Sequence, residues 1–443
     1  NTGQWAQGNG ILQVKIGSLT GSVVNIAQPE KQHLPQPRLL PVLLTPRSFP
    51  LLLGRREEVK IVIDALPYDQ SVEFYGAEGI GKTVLLRYLA HHPSITPIFR
   101  EGGIIYHRVI RNQSVSDLLK ILFNAFYHSD APFKPTDIQI RHALENRKAL
   151  IILDGGKLAR SEVEDLMGYL PNFTFLFADN QRQLWGEGRC LSLGGLFLND
   201  ALSLVEREIG RTLSASERTD AEKICTMLEG HPLRILQTVA LVREDNVPLL
   251  VVQQQLESAC NSQGWAEHLL AKLKKPQTLI LMVLAAFGGV ALAAEQIAFL
   301  TEQPDINSIL ETLIRRNLIQ VDGSRYSLSS TLVKHLQQKF NLTTFLERAA
   351  NYFMNWIQQN QEVPERLLEE SDVILQIMEW AYEVKHWENV LCLGRGIEGV
   401  LALNGQWGVW DLVLQWVLTA ACNTGDKAVE AFALHQLGTR SLC

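Results

Sequence analysis

SVEFYGAEGIGKTVLLRYL, the stretch from Ser71 to Leu89, decides the fold of this 443-residue chain. It opens as a short run with Val72 and Phe74 on one face, crosses a glycine-bearing loop and closes in an apolar periodic run. The loop, Gly76-Ala77-Glu78-Gly79-Ile80-Gly81-Lys82-Thr83, fits G-x-x-x-x-G-K-[ST] at every fixed position. Glycines let consecutive backbone N–H groups turn inward around phosphate oxygens with no Cβ in the way. A helix starting near Lys82 aims its positive dipole end at the same anion. Gly76, Gly79, Ile80, Gly81 and Val84 are then expected to build the cradle and first helical turn. Lys82 is expected to reach the β and γ phosphates, and the Thr83 hydroxyl to ligand Mg²⁺. A glycine turn of the same spelling can also join a strand to a helix and bind nothing. Strand, loop and helix in the required order favour a nucleotide site.

The chain as a whole has room for about three domains of ~150 residues. An apolar fraction of 46% and a mean hydropathy of +0.01 describe a globular chain with several cores. With 41 basic against 47 acidic residues the net charge is −6, which argues against a general nucleic-acid binder. Cys190, Cys225, Cys260, Cys392, Cys422 and Cys443 are scattered singly without a C-x-x-C pair. That usage suits a reducing, cytoplasmic setting and disfavours a cysteine zinc cluster. Thr278–Ala294 carries no charge, but Gly288-Gly289 interrupts it, so a buried helix and turn is expected rather than a membrane span. The chain begins at Asn1 without a signal peptide and stops inside a helix-like run. It therefore reads as a fragment, with an upstream effector and a downstream ligand-sensing region outside it.

Five segments follow. Residues 1–47 read as an extended linker, with six prolines between Pro29 and Pro50 and a possible hairpin formed by residues 11–16 and 21–26. Residues 48–193 alternate strands and helices, the pattern of a doubly wound α/β domain. At its start Gly54-Arg55 opens a helix; this pair either approaches a base and ribose or is a charged helix start on the surface. Lys148-Ala-Leu-Ile-Ile-Leu-Asp154 is an apolar run ending in a carboxylate, a Walker B candidate whose Asp154 would help hold Mg²⁺. Residues 194–262 form a helical lid broken at Gly230-His231-Pro232-Leu233. Residues 263–342 give helices followed by an Asp322-Gly323 hairpin signal, the order of a winged helix. Arg315-Arg316 is weak support for DNA contact in an acidic chain. Residues 343–443 read as helical throughout, and the last two helices suit either a tetratricopeptide-like (TPR-like) repeat or an ordinary helical hairpin.

P-loop, Asp-ended strand, helical lid with Gly230-His231-Pro232-Leu233, winged helix and helical repeats, in that order, resemble the STAND class of signal-transducing NTPases. The resemblance, over about residues 48–345, is to the NB-ARC type of plant resistance proteins, apoptosome proteins and NLR-like bacterial regulators. Carried over by position, Gly54 and Arg55 match the opening motif, Gly76–Thr83 the phosphate loop, Asp154 the Walker B acid and Pro232 the lid proline near adenine. The resemblance implies ATP and ADP as ligands, with Mg²⁺, and a closed ADP form that opens on exchange and self-associates. Three positions depart from it: Gly155 replaces a second acid, Asn180 stands where a sensor arginine is usual with Arg182 two residues on, and Ser329 replaces a winged-helix histidine that touches the β-phosphate. Losing the second carboxylate removes a general base typically worth ~10²–10⁴-fold. Slow hydrolysis is therefore expected, with Lys82 and Asp154 as its catalytic groups. Competing readings are an active ATPase motor or remodelling factor, and a helical scaffold that nucleotide merely staples.

Overall fold

The computed structural model describes residues 35–109, 113–128, 135–156, 158–259 and 262–442. The possible hairpin at residues 11–26, Cys260 and Cys443 lie outside them. The first half alternates as the sequence implies: β1 (Gln36–Pro37), β2 (Val42–Leu44), α1 (Arg56–Ala65), β3 (Val72–Tyr75), α2 (Lys82–Leu89), β4 (Gly103–Arg108), α3 (Val115–Phe126), β5 (Tyr127–His128), α4 (Asp137–Leu144), β6 (Leu150–Asp154), α5 (Arg160–Tyr169), β7 (Thr174–Asp179) and β8 (Arg189–Ser192). Six of these strands form one parallel sheet in the order β2-β4-β6-β7-β3-β8. All five residues of β6 are buried, as a continuous apolar run between two helical layers must be. Alternation along the strands divides the core. Val72, Phe74, Ile152 and Leu176 pack with Leu85 and Leu86 of α2 on one face. Leu153, Phe175 and Phe177 pack with Leu119 of α3 and Leu166 of α5 on the other.

Both edges of the sheet differ from the sequence reading. Val42–Leu44, inside the expected linker, is an edge strand paired with β4. Its proximity to β4 depends on Gly103, where an added Cβ would stand 1.9 Å from the Val42 carbonyl oxygen. The prolines around it read as connector, yet a proline at the start of an edge strand costs no ladder bond. At the opposite edge β8 was not foreseen, because Arg189–Ser192 is only partly buried and shows no apolar alternation.

Helices take over after β8: α6 (Leu198–Ile209), α7 (Ala215–Met227), α8 (Pro232–Asp245), α9 (Leu249–Ala259), α10 (Ser262–Ala271) and α11 (Lys275–Ala286). Next come β9 (Leu292–Ala293), α12 (Ala294–Thr301), α13 (Asn307–Arg315), β10 (Ile319–Asp322), β11 (Arg325–Leu328) and α14 (Ser330–Lys339). The three strands form an antiparallel sheet in the order β10-β11-β9, and Asp322 pairs with Arg325 across the Gly323-Ser324 turn. The uncharged run from Thr278 is the buried helix α11, and no described helix is long and apolar enough to cross a membrane. Six helices end the chain: α15 (Thr343–Asn360), α16 (Pro364–Glu369), α17 (Ser371–Glu383), α18 (Trp387–Leu403), α19 (Trp407–Thr424) and α20 (Lys427–Leu442). Their core, which includes Phe353, Ile377, Leu393 and Val417, is continuous with that of the helices after β8.

The final helices return to the sheet. The Gly408 N–H, in the first turn of α19, donates to Asp117 Oδ1 on α3 (3.1 Å). A Cβ at 408 would meet Ser114 Oγ at 2.2 Å, so glycine is what lets α19 come this close. The antiparallel sheet is fastened to the same helices by a bidentate Arg325–Glu370 pair at 2.6 and 3.1 Å.

Candidate nucleotide site

The loop Gly76–Gly81 leaves the carboxyl end of β3, which lies between β7 and the edge strand β8, and enters α2 at Lys82. In open α/β sheets ligands lie in crevices at this edge. The Lys82 ammonium is held by three oxygens: Gly76 O at 2.7 Å, Ala77 O at 2.9 Å and Asn180 Oδ1 at 3.0 Å. These neutral acceptors stand where phosphate oxygens would compete for it. Burial pushes the Lys82 pKa down, while Asp179, Glu78 and Asp154 pull it back up. Thr83 Oγ1 donates to Asp154 Oδ1 at 3.0 Å, bringing together the hydroxyl and the carboxylate expected to face a cation. Tyr106 on β4 donates to the other oxygen of Asp154 at 2.6 Å. Burial and the adjacent Asp154 raise the Tyr106 pKa, so its phenol stays a proton donor. Oxygen donors on a buried carboxylate and a loop hydroxyl suit Mg²⁺, which usually takes one or two protein ligands and keeps substrate and water for the rest. Thr83 and Asp154 would hold it, and it would supply charge neutralisation between phosphates.

The helical segment beyond the sheet touches this loop directly. His231, the N-cap of α8, donates from Nε2 to the Glu78 carbonyl oxygen at 2.9 Å. Its Nδ1 accepts the Arg234 N–H at 3.3 Å. The two bonds require the neutral imidazole with its proton on Nε2. Burial is the main reason the His231 pKa falls to about 4, with Arg234 and Lys82 adding to the shift. Leu233 N–H reaches Gly79 O at 3.4 Å. A side chain at 79 would stand 2.8 Å from Leu233 Cδ2 and 3.0 Å from His231 Cε1, at a backbone φ of +80°. Gly79 therefore serves the approach of α8 as well as the phosphate cradle.

Arg55 ties a third segment to the loop. It adopts a left-handed φ of +63° at the start of α1 and is 8% exposed. Its guanidinium donates to Ile80 O at 3.0 Å, to Gly194 O at 2.7 Å and to Glu58 at 3.1 Å. Gly54 lies against Leu196 and Asp200. Arg55 is therefore not a charged helix start on the surface: it is buried and clamps the loop to Gly194 and Glu58.

The structure thus assembles Arg55, Gly76, Gly79, Ile80, Lys82, Thr83, Asp154 and His231 around one loop, with Gly81, Val84, Gly54 and Pro232 as their chain neighbours. Ser329 is different. It is fully buried, its hydroxyl donates to Asn317 O at 2.7 Å and its N–H to Leu318 O. Its bonds hold the antiparallel sheet to α13, not the phosphate loop. Arg182 also points elsewhere, over the Trp185 ring at 4.0 Å. Tyr106, Glu78, Asp179 and His231 had not been singled out as site residues. Tyr106 and Asp179 depend on strand register, and Glu78 and His231 on a contact 153 residues apart in sequence.

No protein-family model matches the sequence, and no curated protein matches it. Among solved structures the chain is similar to a Signal Transduction ATPase with Numerous Domains (STAND) protein with a tetratricopeptide repeat sensor from Pyrococcus horikoshii, at 16% identity and a TM-score of 0.51, over 90% of this chain and 66% of that one. The chain thus spans just under two thirds of that protein's length. Weaker likenesses, which carry no argument here, are to a Walker-type ATPase of Pyrococcus abyssi (14% identity, TM-score 0.34, 67% of this chain and 99% of that one) and to Drosophila ORC bound to DNA (13%, 0.34, 72% and 96%). At this identity the first likeness speaks to the fold alone: a parallel α/β sheet core followed by a helical region.

Proposed function

We propose that this chain is a nucleotide-dependent molecular switch of the STAND/NB-ARC kind, binding ADP and ATP with Mg²⁺ and coupling nucleotide state to opening and self-association. The observation that carries this reading is the pair of contacts from His231 and Leu233 to the carbonyls of Glu78 and Gly79. Any ligand that reshapes the loop must alter the seat of α8, and α8 is joined onward: Gln237 on α8 donates to Asn317 O (2.8 Å) and accepts from Thr331 (3.1 Å). Residues 263–342 act as a winged helix in this scheme, and residues 343–443 as the beginning of a TPR-like region. In this scheme the seating of α19 on α3 belongs to the closed form.

Turnover is expected to be slow. Asp154 and Lys82 can bind and neutralise, but Gly155 leaves the position after Asp154 without a carboxylate. Adenine specificity follows from the resemblance alone, with Gly54, Arg55 and Pro232 nearest the expected base. A signalling or defence role would depend on effector and sensor regions beyond this chain.

Size-exclusion chromatography with light scattering, run with ADP and with a non-hydrolysable ATP analogue, tests the switch. A larger hydrodynamic radius or assembly with the ATP analogue is expected. The same profile in both states would favour the nucleotide-stapled scaffold, and sustained multiple turnover would favour the motor.

A further inference from the structure

Cleavage at a phosphate loop needs a group to take a proton from the attacking water, and residue 155 cannot provide one. The neighbouring strand has a carboxylate at the same level. In the parallel register of β6 and β7, Asp154 pairs with Ala178. Gly155 N–H donates to Ala178 O at 2.8 Å. The next residue of β7, Asp179, therefore stands beside Gly155 at one strand spacing, about 4.8 Å.

Strand alternation fixes its side. Ile152 of β6 and Leu176 and Ala178 of β7 pack in the core on the α2 side. Leu153 and Phe177 pack in the core on the α5 side. Asp179 follows Phe177 by two, and Gly155 follows Leu153 by two, so both belong to the α5 side. A carboxylate at 179 thus lies on the side where a second acid at 155 would lie. Asp179 and Gly155 line one cleft with Glu73 and Gln183. No heavy atom comes within 4 Å of where a Cβ at 155 would stand, which leaves room for a water beside Asp179.

The surrounding groups narrow the choice further. Glu73 is fully buried, and its two oxygens accept the Gln183 N–H at 2.7 Å and the Leu184 N–H at 2.9 Å. It is a strut that holds the loop after β7. Both oxygens of Asp154 are taken by Thr83 and Tyr106, whereas Asp179 accepts the Asn180 N–H on Oδ1. Asn180, the residue after Asp179, accepts from the Lys82 ammonium at 3.0 Å, which brings the end of β7 up to the group expected to meet the γ-phosphate.

We infer that Asp179, displaced by one strand from position 155, is the general base for the slow nucleotide hydrolysis expected at this site; the inference rests on the proposed reading of Gly76–Thr83 as a nucleotide site. Its carboxylate takes a proton from the water beside Gly155. The water oxygen bonds to the γ-phosphorus as the bond from that phosphorus to the bridging oxygen breaks. The electron pair leaves on the nucleoside diphosphate, and the proton passes from Asp179 to bulk solvent.

The test combines equilibrium binding of a fluorescent ADP with single-turnover ATP cleavage as a function of pH, for the wild-type chain, Asp179→Asn and Asp179→Glu. Asp179→Asn is expected to keep ADP affinity within about 3-fold while cleavage falls roughly 100-fold and the acid limb of its pH profile disappears. Asp179→Glu is expected to recover part of the rate and the limb. If the wild-type chain binds nucleotide but Asp179→Asn cleaves at the wild-type rate, or if the wild-type chain never cleaves, the inference is overturned and the binding reading stands. If the wild-type chain fails to bind nucleotide at all, the site reading itself falls.

Discussion

The carboxyl edge of the parallel sheet and the six C-terminal helices are built on opposite principles. At the sheet edge, polar groups meet across long sequence distances: Lys82 to Asn180, Thr83 to Asp154, His231 to the Glu78 carbonyl. In the helices the principal contacts are apolar, with Phe353, Ile377, Leu393 and Val417 buried in one continuous core. Charge-assisted contacts at the first depend on angle and protonation, so small changes alter ligand affinity. Burial at the second is non-directional, so changes there alter stability. The two meet at Gly408–Asp117, where a backbone N–H reaches a carboxylate because a side chain is missing.

That contrast can be broken experimentally, beginning with the largest effect. Phe353→Ala should destabilise the helical region by about 3–5 kcal/mol in denaturant unfolding, with ADP affinity unchanged; a matching loss of affinity would join what is here separated. Lys82→Ala should weaken ADP binding by about 1.5–3 kcal/mol, roughly 10- to 150-fold, with an unaltered unfolding midpoint for the helices. Titration calorimetry beside circular dichroism reads both.

The seat of α8 should depend on acid. His231 has a folded pKa of about 4, below the ordinary value of 6.5. Between those limits the folded state binds fewer protons than the unfolded one, so stability rises with pH. The contribution is complete above about 6.5 and is lost as pH falls towards 4. Arg234 and Lys82 face the ring and oppose its protonation, while the Glu78 carbonyl favours it. Protection factors of the α8 first turn, with the intrinsic pH dependence of amide exchange divided out, should therefore fall between pH 7 and pH 5, and His231→Gln should flatten that dependence. An unchanged profile in the variant would assign the effect to another group.

The smallest effect is expected at Ser329. Ser329→Ala should cost about 0.5–1.5 kcal/mol through the lost bond to Asn317, and should leave ADP affinity as it was. Weaker binding would return Ser329 to the nucleotide, as its position in the motif suggests.

How much was legible follows from the range of each interaction. Loop and helix in Gly76–Leu89 are local, fixed by glycine chemistry and apolar period, and they lie where the sequence places them. The buried run ending in Asp154 was readable for the same reason. Val42–Leu44 was not, because prolines hide an edge strand whose pairing depends on Gly103 in another element. α18 lies in the stretch read as helical throughout, but the sequence did not show that Gly394 and Gly396 are where Val417 of α19 and Ile357 of α15 approach.

By itself the sequence determined that a glycine-bearing loop sits between a strand and a helix, that a buried carboxylate follows on another strand, and that the chain then turns helical. Local backbone preference and hydrophobic period suffice for each of these. Tertiary structure alone decided that Tyr106 orients Asp154, that His231 and Leu233 grip the loop, that Ser329 is turned inward and that Asp179 stands beside Gly155. Each of those depends on strand register or on the docking of distant segments, and neither is written in any local pattern.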